Sequence, residues 1–172
     1  MTGKNVATPE EIKAILTPFI SAVSLVLGNE KFAATNPAEP VLTSDLFHHM
    51  YDLYDGLEVN HLWDRRENIR KRLSHEKNGV VKEALIIPDI VVHRANTQDD
   101  NLLVVEAKRY PAVDDGDDVW KLEGMTAKGQ YHYKLGVHVT LNVPGHNVTE
   151  CVVYSEGASD IEATKWLRER LP

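Results

Sequence analysis

LIIPDIVVHRANTQDDNLLVVEAKR, residues 85–109, is the stretch on which the fold turns. Two apolar, β-branched runs, residues 85–93 and 102–107, flank a polar segment rich in Asn, Thr and Asp, the pattern of a β-hairpin. Antiparallel pairing about Thr97 and Gln98 sets Val91 opposite Val104 and Asp89 opposite Glu106. Directly opposed residues share a face of the sheet, and so do side chains two apart on one strand. Asp89, Glu106 and Lys108 therefore project from one side. Two carboxylates and an ammonium on otherwise apolar strands are costly to bury uncompensated, and a divalent cation would compensate them.

Pro88-Asp89, a short hairpin and then Glu106-Ala107-Lys108 resemble the PD-(D/E)xK signature of the restriction-endonuclease-like nucleases. PDIVVHR, NLLVVEAK and the later DVWKL are similar to small standalone bacterial and phage members, over roughly residues 43–143. The resemblance implies an α/β fold, a restriction-endonuclease-like mixed β-sheet flanked by helices. It implies Mg²⁺ or Mn²⁺ held by Asp89, Glu106 and the backbone carbonyl of Ala107, with Lys108 orienting or deprotonating the attacking water. The implied reaction is hydrolysis of a phosphodiester in nucleic acid, with DNA the expected substrate, leaving a 5′-phosphate and a 3′-hydroxyl. Many members also carry an acidic residue near the start of the helix before the sheet. Asp45 is the best positional match, ahead of Asp52 and Glu58, although a carboxylate in a first helical turn also suits the helix dipole. The D-x-x-K-L similarity turns Lys121 toward substrate or site. Gln130 and Tyr133 are similar to a glutamine and tyrosine on the corresponding helix of some members, but the spacing differs, and packing explains them as well.

Composition bounds these readings. At 172 residues, with 42% hydrophobic and 26% charged, the chain suits one globular domain, residues 1–172. It has no long apolar run, its opening MTGKNVATPEE lacks the layout of a signal peptide, and Cys151 is alone. A cytoplasmic protein without membrane contact or internal disulfide is expected. A net charge of −7 is unlike a generic nucleic-acid binder, yet a metal-dependent site concentrates carboxylates and bound ions invert the local sign. Neither zinc-ligand spacing, a glycine-rich phosphate loop nor a nucleophile elbow is present.

Taken in order, Thr8-Pro9-Glu10-Glu11 starts a packing helix over 9–27. Residues 29–42, with Asn36-Pro37 and Glu39-Pro40, read as a loop. Thr43 or Ser44 then caps a helix through about Tyr54, where the core, about 43–155, begins. Residues 60–77 read as a helix ended by Asn78-Gly79. Its Arg65, Arg66, Arg70, Lys71 and Arg72 form either a solvated face threaded with Asp64, Glu67 and Glu76, or a phosphate-contacting surface in which Arg65, Arg66 and Arg70 meet substrate. Residues 80–84 are a weakly marked strand. After the hairpin, Asp114-Asp115-Gly116-Asp117-Asp118 is an acidic loop in which Asp117 or Asp118 caps a helix to about Leu135. Gly124 and Gly129 allow that helix close packing. Strands over 136–143 and 148–154 follow, and a Ser159/Glu162 capping box starts a last helix over 159–171. His93 lies either at the rim of the site or at a sheet edge.

Two functions stay open: a metal-dependent nuclease, and a non-catalytic module of the same fold that binds nucleic acid or a protein partner. A homodimer is implied by resemblance alone. In the plainest account of the triad, Asp89 caps a strand and Glu106 with Lys108 forms a surface salt bridge.

Overall fold

Thr8 opens the first helix, α1 (Pro9–Leu27), as its sequence requires: its hydroxyl accepts the Glu11 N–H at 3.2 Å, and Glu11 Oε2 accepts the Thr8 N–H at 2.8 Å. The helix runs through Pro18 to a Gly28 cap and buries Leu16, Phe19, Ala22, Val23 and Val26. The computed structural model describes residues 6–63, 65–66, 69–98, 100–112 and 116–172, with Arg65, Arg66, Ile69 and Arg70 described by their backbone alone.

Residues 29–42 are not the expected loop. The Asn29 side chain accepts the N–H groups of Lys31 and Phe32 and starts α2 (Glu30–Thr35), which a left-handed Asn36 ends. The third helix, α3 (Glu39–Met50), begins ahead of Thr43 because Pro40 sits in its first turn, where a missing N–H is no loss. Glu39 rather than Asp45 therefore stands at the positive end of this helix.

The described residues of 60–77 form no helix where one was expected. They hold the end of β1 (Glu58–His61), then β2 (Arg65–Arg66), β3 (Ile69–Arg70) and β4 (Arg72–Lys77). β4 pairs antiparallel with β5 (Val80–Leu85), from Lys77 with Val80 to Arg72 with Leu85. Asn78 and Gly79, both at positive φ, form the two-residue turn whose twist matches its strands, so the pair that resembles a helix stop is a hairpin tip. The burial period along β4 is two: Leu73 is buried and His75 half-buried, while Arg72, Ser74 and Glu76 are exposed.

The main sheet continues with β6 (Ile90–His93), β7 (Leu103–Arg109), β8 (Leu135–Asn142), β9 (Asn147–Ser155) and β10 (Ala158–Ser159). Its order is β1-β6-β7-β8-β9-β10, parallel between β7 and β8 and otherwise antiparallel. The helix α4 (Asp117–Thr126) makes the crossover between the parallel strands, and α5 (Ile161–Arg168) follows the sheet. The protein is thus α/β, a mixed and mostly antiparallel sheet flanked by helices. β1, not residues 80–84, lies beside β6. α4 stops at Thr126 rather than near Leu135, since Ala127 is extended and Gly129 has φ 137°. Gly116 caps α4, leaving Asp117 and Asp118 in the first turn, and Asp160 rather than Ser159 caps α5 by accepting the Ala163 N–H at 2.9 Å. Among the described residues no helix is long and apolar enough to cross a membrane.

The sheet separates two cores. On one face, α1, α3 and α5 pack over Ile90, Val92, Leu103, Val105, Ala107, Val137 and Val139. On the other, α4 and the β4–β5 hairpin cover Val91 and Val104 with Leu73, Trp120, Leu122, Met125 and Tyr133. Gly124 makes this second layer possible, because a Cβ there would stand 2.7 Å from Leu73 Cδ2.

Candidate active site

The register of β6 with β7 is the one expected: Ile90 with Val105, Val91 with Val104 and Val92 with Leu103. One step outside the first of these pairs, Asp89 faces Glu106, and the Asp89 carboxylate takes over the ladder by accepting the Ala107 N–H on Oδ2 at 2.9 Å. Alternation then sends Glu106 and Lys108 to the α4 face, on which β8 aligns His138 with Glu106 and Thr140 with Lys108.

From above, α4 lowers Asp118 and Lys121 onto these groups, three residues apart and so on one helix face. Lys121 Nζ lies 2.9 Å from Glu106 Oε1 and 3.4 Å from Asp118 Oδ1. Lys108 Nζ lies 3.0 Å from Asp118 Oδ2, and His138 Nε2 lies 3.9 Å from that same oxygen. At the strand end, Glu39 accepts the Arg109 N–H at 3.1 Å on Oε2 and holds Lys108 Nζ at 3.5 Å from Oε1. Four carboxylates thus face two ammonium groups. The centre is nearly dry: Glu106 is 2% exposed and Asp118 7%.

This imbalance shows in the proton affinities. Burial, then the neighbouring charge of Asp89, pushes the Glu106 carboxyl well above the usual carboxylate range, against the pull of Lys121. Burial also raises Asp89, offset in part by the Ala107 N–H and the two lysines. For Lys108 burial acts downward, but the hydrogen bond and charge of Asp118, with Glu39 and Asp89, outweigh it and hold the ammonium above the ordinary lysine range. Lys121 is likewise raised, burial being overcome by Glu106 and Asp118. Both lysines keep their protons at neutral pH.

The sequence-predicted residues separate into two groups. Asp89, Glu106, Ala107, Lys108 and Lys121 come together. Asp45 does not join them: its Oδ2 lies 3.3 Å from His49 Nε2, and it lines a surface groove with Pro40, Ser44 and His48. Asp52 is exposed, and Glu58 is exposed at the start of β1. Gln130 stands apart from them, where it accepts the Ser74 N–H at 2.7 Å and ties down β4. Tyr133 belongs to the core. His93 is buried against Asn60 Oδ1 at 2.7 Å and is held down to about 4 by burial and by Lys71, so its ring is neutral. The side chains of Arg65, Arg66 and Arg70, like Asp64, Glu67, Asp114 and Asp115, lie outside the described residues.

Sequence reasoning missed Asp118, Glu39 and His138. The Asp118-x-x-Lys121 spacing was a usable signal, because it places both side chains on one helix face. Pro40 was another, as a proline at home in a first turn.

Among the described residues no three His, Cys, Asp or Glu groups are disposed as a ready metal cage. The donor chemistry nevertheless fits a hard divalent ion. Asp89 Oδ1 and Glu106 Oε2 accept no hydrogen bond from the described residues, and both are oxygen donors in a site with excess negative charge. Asp89, Glu106 and the Ala107 carbonyl are the groups that would hold such an ion. Comparison with models of known families, with curated proteins and with solved structures gives no match for this chain.

Proposed function

We propose that the chain is a Mg²⁺- or Mn²⁺-dependent nuclease of the restriction-endonuclease-like kind, hydrolysing phosphodiester bonds of nucleic acid, with DNA the preferred substrate. The observation that carries this reading is the nearly dry Glu106 carboxylate set beside Asp89, with Lys108 held charged on the same sheet face. Asp89, Glu106 and the Ala107 carbonyl would hold the ion, which supplies Lewis acidity toward a phosphoryl oxygen and an activated water. Lys108, fixed by Asp118 and Glu39, keeps its proton. Its part is to orient the attacking water and to offset charge developing on the phosphate, not to act as a base.

The ion pair of Lys121 with Glu106 favours a second reading, a non-catalytic module of this fold that binds nucleic acid or a protein partner, since it satisfies the carboxylate internally. Cleavage of plasmid, linear and single-stranded DNA and of RNA with added Mg²⁺ or Mn²⁺ decides between them. The wild type should cut, and Asp89→Ala and Lys108→Ala should each lose at least about a hundredfold in rate. Equal cutting by the variants, or none by the wild type, overturns the catalytic reading.

A further inference from the structure

Lys121 is placed like a counter-ion that a second cation must remove. Its ammonium touches Oε1 of Glu106, the most buried carboxylate of the cluster, and a second acceptor, Asp118 Oδ1, already stands 3.4 Å away on its own helix. Asp118 does not need Lys121 to stay in place, because its other oxygen holds Lys108 at 3.0 Å. A short swing of one flexible side chain therefore takes Lys121 from Glu106 to Asp118 without unpairing its charge.

We propose that Lys121 is a tethered competitor of the divalent ion: metal uptake by Glu106 and Asp89 requires Lys121 to leave Glu106 for Asp118. The proposal rests on the reading that Asp89 and Glu106 hold a metal, and it adds which residue sets the affinity and which receives the displaced charge. A buried carboxylate cannot serve an ammonium and a dication at full strength at once, since like charges a few ångströms apart repel strongly in a site shielded from water. The metal affinity of the wild type is accordingly held down, and the site empties readily as metal becomes scarce.

The test is Mn²⁺ binding by the full chain, read as the loss of the free-ion electron paramagnetic resonance signal, with no substrate present. Lys121→Met should bind Mn²⁺ at least about tenfold more tightly than the wild type, and Lys121→Gln should do the same if the methionine variant folds poorly. Lys108→Met removes the same unit of charge from the same face without touching Glu106, so it should tighten binding by much less. Asp118→Asn should weaken binding in the wild-type background and do so far less alongside Lys121→Met, because no displaced ammonium then needs a receiver. Equal affinity of wild type and Lys121→Met, or additive effects of Lys121→Met and Asp118→Asn, overturns the exchange and leaves the metal reading standing. Absence of Mn²⁺ uptake in every variant removes the metal reading and this proposal with it.

Discussion

The two faces of the central sheet are built from the same strands and differ in kind. On the face under α1, α3 and α5, every second residue of β6, β7 and β8 is aliphatic up to Arg109 at the end of β7, and Leu16, Phe19, Leu103 and Val137 are fully buried. On the α4 face the alternation starts alike, with Val91 and Val104, then turns ionic at Asp89, Glu106 and Lys108. The first face gains from each group it buries, about 1.5–3 kcal/mol for a large aliphatic or aromatic side chain. The second buries carboxylates whose proton affinity is raised, so ionisation there opposes folding. A protein bears such a face only if the other carries the stability.

Phe19→Ala tests the apolar face most severely. A loss of about 3–5 kcal/mol in denaturant unfolding is expected from an aromatic removed out of a fully buried site. A loss near 1 kcal/mol would mean that this face is not the stabilising one. His93, on the other face, should contribute an acid sensitivity. Its folded value, about 4, lies below the ordinary one, so the unfolded chain takes up its proton first as pH falls. Stability is therefore lost from about pH 6.5 down toward 4, by up to about 3 kcal/mol. His93→Asn should remove that part of the pH dependence, and an unchanged stability profile would contradict the buried neutral ring.

Glu106→Gln should act in the opposite direction. A raised carboxyl binds a proton in the folded state that the unfolded chain has released, so wild-type stability declines as pH rises above the usual carboxylate range. In the presence of a chelator the glutamine variant should melt above the wild type at pH 8, with the gap closing toward pH 5. A variant that melts lower at both pH values would show Glu106 to be a stabilising partner of Lys121 and would erase the contrast between the faces. The smallest effect belongs to the rim: Lys82, half-exposed and 2.6 Å from the Asp117 carboxylate, should cost at most about 1 kcal/mol as Lys82→Ala.

How far this arrangement was legible in sequence depends on how local each cause is. The β6–β7 register was readable because alternation and the Val91–Val104 match need only the two strands themselves. Asp89, Glu106 and Lys108 followed from it, and Lys121 from the D-x-x-K-L resemblance. Residues 60–77 were misread because their arginines and sparse apolar positions suit an exposed helix. What makes β4 a strand lies elsewhere: Gly124 on α4 admits Leu73, and Trp120 donates its Nε1–H to the His75 carbonyl at 3.2 Å. Only the Asn78-Gly79 turn announced this locally. Glu39 was missed because a proline was read as a loop residue, and Asp118 because an aspartate in an acidic loop has an ordinary explanation as a helix N-cap. The resemblance led to an acidic residue at a helix start, and the misplaced start turned that expectation onto Asp45.

The parallel ladder of β7 with β8 has a consequence for the order in which the molecule comes into being. An antiparallel hairpin such as β6–β7 closes through a short loop, but β8 reaches β7 only after α4 has crossed the sheet, a longer closure that is entropically costlier and slower. During synthesis Asp89 and Glu106 leave the ribosome well before Leu135. Until β8 is added, Gly136 is not there to seat Leu122 and Thr126, the contacts that settle α4 on the sheet. Asp118 and Lys121 are therefore expected to reach Glu106 late, so that the nascent chain holds its acidic pair without the charges that α4 brings to it.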